Sequence, residues 1–129
     1  MEDKKTDWEK IFKETSGQVD DLICHLNKDG NILYINHRFE GILDLISSDV
    51  IGTHYSNYCH PGDLQRIERE MKKILSGEST SFIINLKKPT GKVVKTRAFA
   101  KPIGLPTSEN FLILIVFKGL LRKQRIEMI

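Results

Sequence analysis

Phe111-Leu112-Ile113-Leu114-Ile115-Val116-Phe117 carries no polar residue at any position. Successive strand side chains point to opposite faces, so a strand of this composition needs cover on both sides of its sheet and a place in the middle. Its partners lie upstream. Phe82, Ile84 and Leu86 alternate with Ser81, Asn85 and Lys87, and Lys88-Pro89-Thr90-Gly91 then turns the chain into a long strand from Lys92 to Ile103. In that strand Val94, Thr96, Ala98 and Ala100 share one face, and Val93, Lys95, Arg97, Phe99 and Lys101 share the other.

Two more strands precede these. Leu22-Ile23-Cys24-His25-Leu26 and Ile32-Leu33-Tyr34-Ile35 flank the turn Asn27-Lys28-Asp29-Gly30, and Asp-Gly between β-favouring runs signals a hairpin. Asn36 is suited to cap a helix through Arg38, Phe39, Ile42, Leu43 and Leu45. Residues 46–60 are too rich in Ser, Asp, Gly, Thr and Asn for one regular element and read as short helical turns. The clearest helix begins at Pro61: Asp63 complements its positive end, Leu64, Ile67, Met71, Ile74 and Leu75 line one face, Glu68 and Lys72 are ordered for an i,i+4 pair, and Gly77 ends it.

At the N-terminus, Thr6 and Glu9 have the spacing of a capping box for a helix running to Ser16-Gly17. Its stripe of Trp8, Ile11 and Phe12 needs cover and suits the sheet face that carries Val93 and Phe99. These elements predict an α+β domain: a five-stranded antiparallel sheet with helices on one face and an N-terminal cap helix on the other.

A chain of 129 residues suits one domain. No stretch approaches the roughly 20 apolar residues of a membrane span, so no membrane contact is expected within this chain. The charged opening of residues 1–10 lacks a secretory apolar run, which points to a reducing cytoplasm, and two cysteines in a chain of this size need no disulfide. The net charge of +3 is scattered; Lys87, Lys88 and Lys92 form the one basic cluster, at a hairpin tip, and no nucleic acid is expected.

Cys-His occurs twice, at Cys24-His25 and Cys59-His60. Neighbours on a strand diverge, and the usual metal-ligand spacings are missing, so no metal site is assigned. No loop suited to an oxyanion or a phosphate accompanies Cys59, so no catalytic residue is assigned and the chain is not read as an enzyme.

From Asp20 to Phe117 the order of elements and its local motifs resemble the PAS family of sensory domains. Asp29-Gly30-Asn31-Ile32-Leu33-Tyr34-Ile35-Asn36 matches the family's D-G-x-I-x-Y-x-N opening, Val50-Ile51-Gly52 follows, and His60-Pro61-Gly62-Asp63-Leu64 matches its H-P-x-D-L helix start. Thr90-Gly91-Lys92 and Pro102-Ile103 match weaker signals. Two departures stand out: Gly62 replaces a commonly acidic residue, and Lys118-Gly119-Leu120-Leu121 stands where Asp-Ile-Thr often follows the last strand.

The resemblance implies strand order 2-1-5-4-3, with the doubly apolar strand in the centre. It further implies the sensory domain of a bacterial or archaeal signal-transduction protein such as a histidine kinase of a two-component system or a diguanylate cyclase. Residues 1–19 would be a flanking helix, 20–118 the PAS domain, and 119–129 the start of a linker helix toward an output domain beyond the chain. A small ligand would sit between the long helix and the sheet, against Tyr58, Ile67, Met71, Leu75, Ile84, Thr96, Ala98 and Leu114. The small residues Thr96, Ala98 and Ala100 have two readings, room for such a ligand or close packing of the helix. A homodimer is expected through Trp8, Ile11 and Phe12. The alternative function is a purely structural dimerisation module with a filled core.

The cofactor stays unknown. Flavin photochemistry in this family calls for a reactive cysteine in an Asn-Cys-Arg setting, whereas Cys59 lies in Asn57-Tyr58-Cys59-His60. Haem calls for an axial ligand, often a histidine in the long helix, and residues 64–75 have none; His54 and His60 lie just before it, with His60 read as its cap.

Overall fold

The computed structural model describes residues 21–119. The Trp8, Ile11 and Phe12 stripe, the Thr6 capping box and the tail from Leu120 lie outside the described residues. Strands β1 (Leu22–Leu26) and β2 (Ile32–Ile35) form the first hairpin. Helices α1 (His37–Leu43) and α2 (Ser47–Val50), 3-10 turns at Tyr55–Tyr58 and Pro61–Asp63, and helix α3 (Leu64–Leu75) follow. Strands β3 (Thr80–Lys87), β4 (Val93–Ile103) and β5 (Leu112–Gly119) complete one antiparallel sheet in the order β2-β1-β5-β4-β3. Among the described residues no helix is long and apolar enough to cross a membrane.

The composition of β5 explains its central place. Ile113, Ile115 and Phe117 are buried on the helix-covered face, and Val116 has no exposed area on the other. The cross-strand rows explain how α3 comes so near the sheet. One row reads Leu22, Phe117, Ala98, Phe82, with an alanine between two phenylalanines. Thr96, Ala98 and Ala100 are all within 1% of complete burial, and the Thr96 hydroxyl donates to the Ile84 carbonyl at 3.1 Å.

Local chemistry sets the helix ends. The Asn36 side-chain oxygen accepts from Phe39 N at 3.0 Å and Ile23 N at 3.2 Å, while its amide donates to the Asp21 carbonyl at 3.3 Å. One side chain therefore caps α1 and fastens it to the start of β1. Helix α1 stops short of Leu45 because Asp44 adopts a left-handed conformation, φ 56°, and closes the end with a backbone bond to Glu40.

Pro61 opens a 3-10 turn, not the first α-helical turn, capped as expected by His60 Nδ1 accepting from Gly62 N at 3.0 Å. Asp63 does more than complement a dipole. It is buried, and its carboxylate accepts from Asn85 N at 2.9 Å, Asn85 Nδ2 at 3.2 Å and Arg66 at 3.1 Å, tying the start of α3 to β3. On α3 the ion pair is Lys73 with Glu70 at 3.4 Å, in place of Glu68 with Lys72.

Replacing Asn36 by alanine removes a cap and two further bonds at once. Asn36→Ala is expected to lower the free energy of unfolding by about 2 kcal/mol in a urea titration. His60→Ala, which loses one cap at an exposed turn, should cost a fraction of that.

Candidate functional site

Residues 54–60 form a strap across the helix-covered side of the sheet. At one end His54 bridges to Asn31, and Tyr55 N donates to the Gly30 carbonyl at 3.0 Å. At the other, Cys59 bridges to Leu86, and His60 N donates to the Asn85 carbonyl at 2.9 Å. In between, His54 Nδ1 accepts from Ser56 N at 3.1 Å. The Thr53 hydroxyl donates to the Val50 carbonyl at 2.6 Å, which leaves its oxygen to accept from the Tyr58 hydroxyl at 2.8 Å.

Beneath the strap lies a cavity of about 30 Å³. The strap supplies Tyr55, Tyr58 and Cys59, and α3 supplies Ile67 and Met71. The floor is Cys24 and Leu26 from β1, Ile115 and Phe117 from β5, and Phe82, Ile84 and Leu86 from β3. Ile32 and Phe39 close one side, with Phe39 edge-on to Phe117 at 5.7 Å between ring centres.

Of the ligand-pocket residues chosen from sequence, Tyr58, Ile67, Met71 and Ile84 are on this wall. Leu75, Thr96 and Ala98 are not, and β4 contributes nothing to it. Thr96, Ala98 and Ala100 are buried and lie off this wall. Leu114 lies on the opposite face, in register with His25 and Lys101. Sequence reading missed the parity of β5 because a run apolar at every position carries none. The alternation of β1, with Cys24 and Leu26 inward and Ile23 and His25 outward, was the available signal for the missed floor residues.

Among the described residues the wall carries no charged side chain. Burial, and then the negative charge of Asp63, pushes the Cys59 thiol up to about 12. Burial, followed by nearness to Cys59, raises the Cys24 thiol further. Burial also raises the Tyr55 hydroxyl, with smaller contributions from Cys59 and Glu68. Both thiols are therefore protonated at physiological pH, and Cys59 Sγ donates to the Tyr55 carbonyl at 3.4 Å. Cys24 and His25 diverge, as strand alternation requires. The His25 ring meets Tyr34 at 4.9 Å on the outer face, and burial lowers its basicity.

These residues do not fit the two cofactors weighed above. A flavin ring presents carbonyl and imide groups, and among the described residues this wall has no amide or charged side chain to meet them. No histidine lines the cavity, and the ring nitrogens of His54 and His60 that accept from Ser56 and Gly62 are committed to their own turns.

The hairpin and the strap are fitted to each other at Gly30. Its φ is 89°, and a β-carbon there would lie 2.7 Å from His54 Nε2 and 2.9 Å from the Tyr55 ring. The Asn27 side chain holds this turn, accepting from Asp29 N at 3.0 Å and Asn31 N at 2.9 Å.

Residues 11–118 match the family model described as the PAS fold. White collar 1 protein of Neurospora crassa is 27% identical over 84 residues, which is 65% of this chain and 7% of that protein. The curated relatives it matches are far longer, since the chain spans 7% and 8% of their lengths. Among solved structures, a domain of a sensory box sensor histidine kinase/response regulator from Geobacter sulfurreducens superposes with a TM-score of 0.65 at 13% identity, covering 76% of this chain and 82% of that one. The PAS domain of the quorum-sensing receptor RpfR from Cronobacter turicensis, in complex with BDSF, gives 0.66 at 17% identity, covering 81% and 97%.

Gly30→Ala should destabilise the protein by roughly 2 kcal/mol, from backbone strain and the displacement of His54 and Tyr55. Thermal unfolding measures it. An alanine tolerated without loss would mean that hairpin and strap are not in contact.

Proposed function

Because the chain belongs to the PAS fold family, we propose that it is the sensory input of a larger signal-transduction protein, with cavity occupancy biasing the segments that leave the sheet. The cavity is the observation that carries this reading. Its wall includes Ile115 and Phe117 of β5, and that strand leads directly to Lys118. Lys118 Nζ stands 2.7 Å from the buried carboxylate of Asp21, so the exit of β5 is coupled to the entry of β1. A displacement at the wall thus reaches both ends of the described residues. The likeness to a sensor histidine kinase domain and to a ligand-bound receptor domain supports the same reading.

PAS domains are generally sensory modules and not catalysts, and this chain is read in the same way. The proposal keeps residues 1–19 as a flanking helix, 20–118 as the domain and 119–129 as the start of a linker to an output such as a histidine kinase or diguanylate cyclase. It also keeps a cytoplasmic setting, a bacterial or archaeal source, although the curated relatives are fungal, and a homodimer through Trp8, Ile11 and Phe12. A second reading, a structural dimerisation module with a filled core, is favoured by the small volume of the cavity, about 30 Å³.

Filling the cavity separates the two. In the protein carrying its natural output, Ile67→Phe should hold output activity in one state, while Leu33→Ala, at an exposed site, leaves it unchanged. A folded Ile67→Phe protein with normal regulation would favour the structural module. For the dimer, Phe12→Glu should lower the mass measured by light scattering; an unchanged mass removes that interface.

A further inference from the structure

We propose that the open end of β4, at Val93 and Lys95, is a docking slot for residues 120–122 of the same chain, which lengthen β5 before the linker departs. The proposal goes beyond the sensory reading and stands without it.

Register reveals the slot. β4 pairs with β3 as far as Val93 with Lys87, but among the described residues its pairing with β5 ends at Thr96 with Gly119. Lys88 N donates to the Lys92 carbonyl at 2.8 Å, so the even-numbered residues of β4 turn their backbone groups to β3 and the odd-numbered ones to β5. Val93 and Lys95 therefore each aim an N–H and a carbonyl at the place just past Gly119. Both residues are exposed, Val93 by 44%. Open rungs of this kind are a template for another strand.

Continuity names the occupant. The register of Arg97 with Lys118 and Thr96 with Gly119, carried on, sets Leu120 opposite Lys95, Leu121 opposite Val94 and Arg122 opposite Val93. These three residues follow Gly119 directly, so no loop has to close, whereas a second copy would give up its translational freedom. None of them is a Gly, Pro, Asp or Asn, the residues that strands avoid. Parity suits the faces as well. Ile113, Ile115 and Phe117 point inward on β5, so Leu121 of a lengthened strand falls on that side, opposite Val94, which is half-buried and packed against the core. Leu120 and Arg122 fall on the outer side, beside Lys95 and Val93.

Gly119 makes the docking adjustable. A glycine weakens a strand, and a β-carbon at this one would meet nothing within 4 Å. Three further residues carry the departure point of the linker about 10 Å toward the hairpin tip. Lys88 at that tip stands 3.7 Å from Asp44 at the end of α1, so a docked segment delivers the linker beside both the sheet and the helices.

NMR of the full chain tests the docking. A cross-strand contact between the α-protons of Leu121 and Val94 should appear, since these two residues form a pair without mutual hydrogen bonds. The Lys95 amide should exchange with solvent about tenfold more slowly than in Leu120→Pro, which removes the N–H that reaches the Lys95 carbonyl. Gly119→Val, which adds strand preference where there is room for it, should strengthen the contact and slow that exchange further. Helical α-carbon shifts beginning at Leu120 would overturn the proposal, as would equal Lys95 exchange in the natural and Leu120→Pro chains. A contact to Val94 that arises only between differently labelled chains in a mixed sample would also overturn it, because the slot would then belong to a second copy.

Discussion

The bridges at the two ends of residues 54–59 constrain the shape of the whole sheet. They join the free side of β2's hairpin to the free side of β3, the two edges of a five-stranded sheet. Were the sheet flat, the strap would have to cover six strand spacings, about 29 Å. Five residue steps reach about 18 Å even when fully extended, and the 3-10 turn shortens that further. The sheet therefore curls until its edges approach the strap, and the concave side so formed is where α3 and the cavity lie. The same bridges occupy edge groups that would otherwise be open to pairing with another chain, and Gly52 N and Thr53 O cover Ile32 of β2 in the same manner.

Within this curve, two kinds of residue divide the space. Along β4 the fully buried inward side chains are the small Thr96, Ala98 and Ala100, which let α3 pack over that strand. Toward β1 and β5 the inward side chains are larger, but they are met by a strap and not by a second long helix. A 3-10 turn cannot fill a concave surface as completely as α3 does, and the residual space collects under Tyr55 and Tyr58. The cavity follows from this mismatch of covers and needs no special residue to hold it open.

The polar groups around it act as fasteners. Asp63 ties α3 to β3, Asn36 ties α1 to β1, and Thr53 ties Tyr58 to α2, each through bonds buried or half-buried, where a lost partner costs most. With those atoms committed, what remains on the cavity wall is hydrocarbon, aromatic ring and sulfur. The chemistry of the site is thus decided by what its neighbours have already used.

Alternation, turn chemistry and caps were enough to read the five strands, the Asn36 and His60 caps and the long helix, because each depends on residues within one turn or one strand; the doubly apolar run 111–117 asked for a central strand, and the full order 2-1-5-4-3 came from the resemblance. Half of the chosen pocket residues are on the wall; Leu75, Thr96, Ala98 and Leu114 are not. Parity in a uniformly apolar strand, the 3-10 start at Pro61, the strap from Gly30 to Leu86 and the place of the cavity were decided only in three dimensions. They depend on register and on contacts between residues far apart in the chain, and no local pattern encodes a distance between two edges of a sheet.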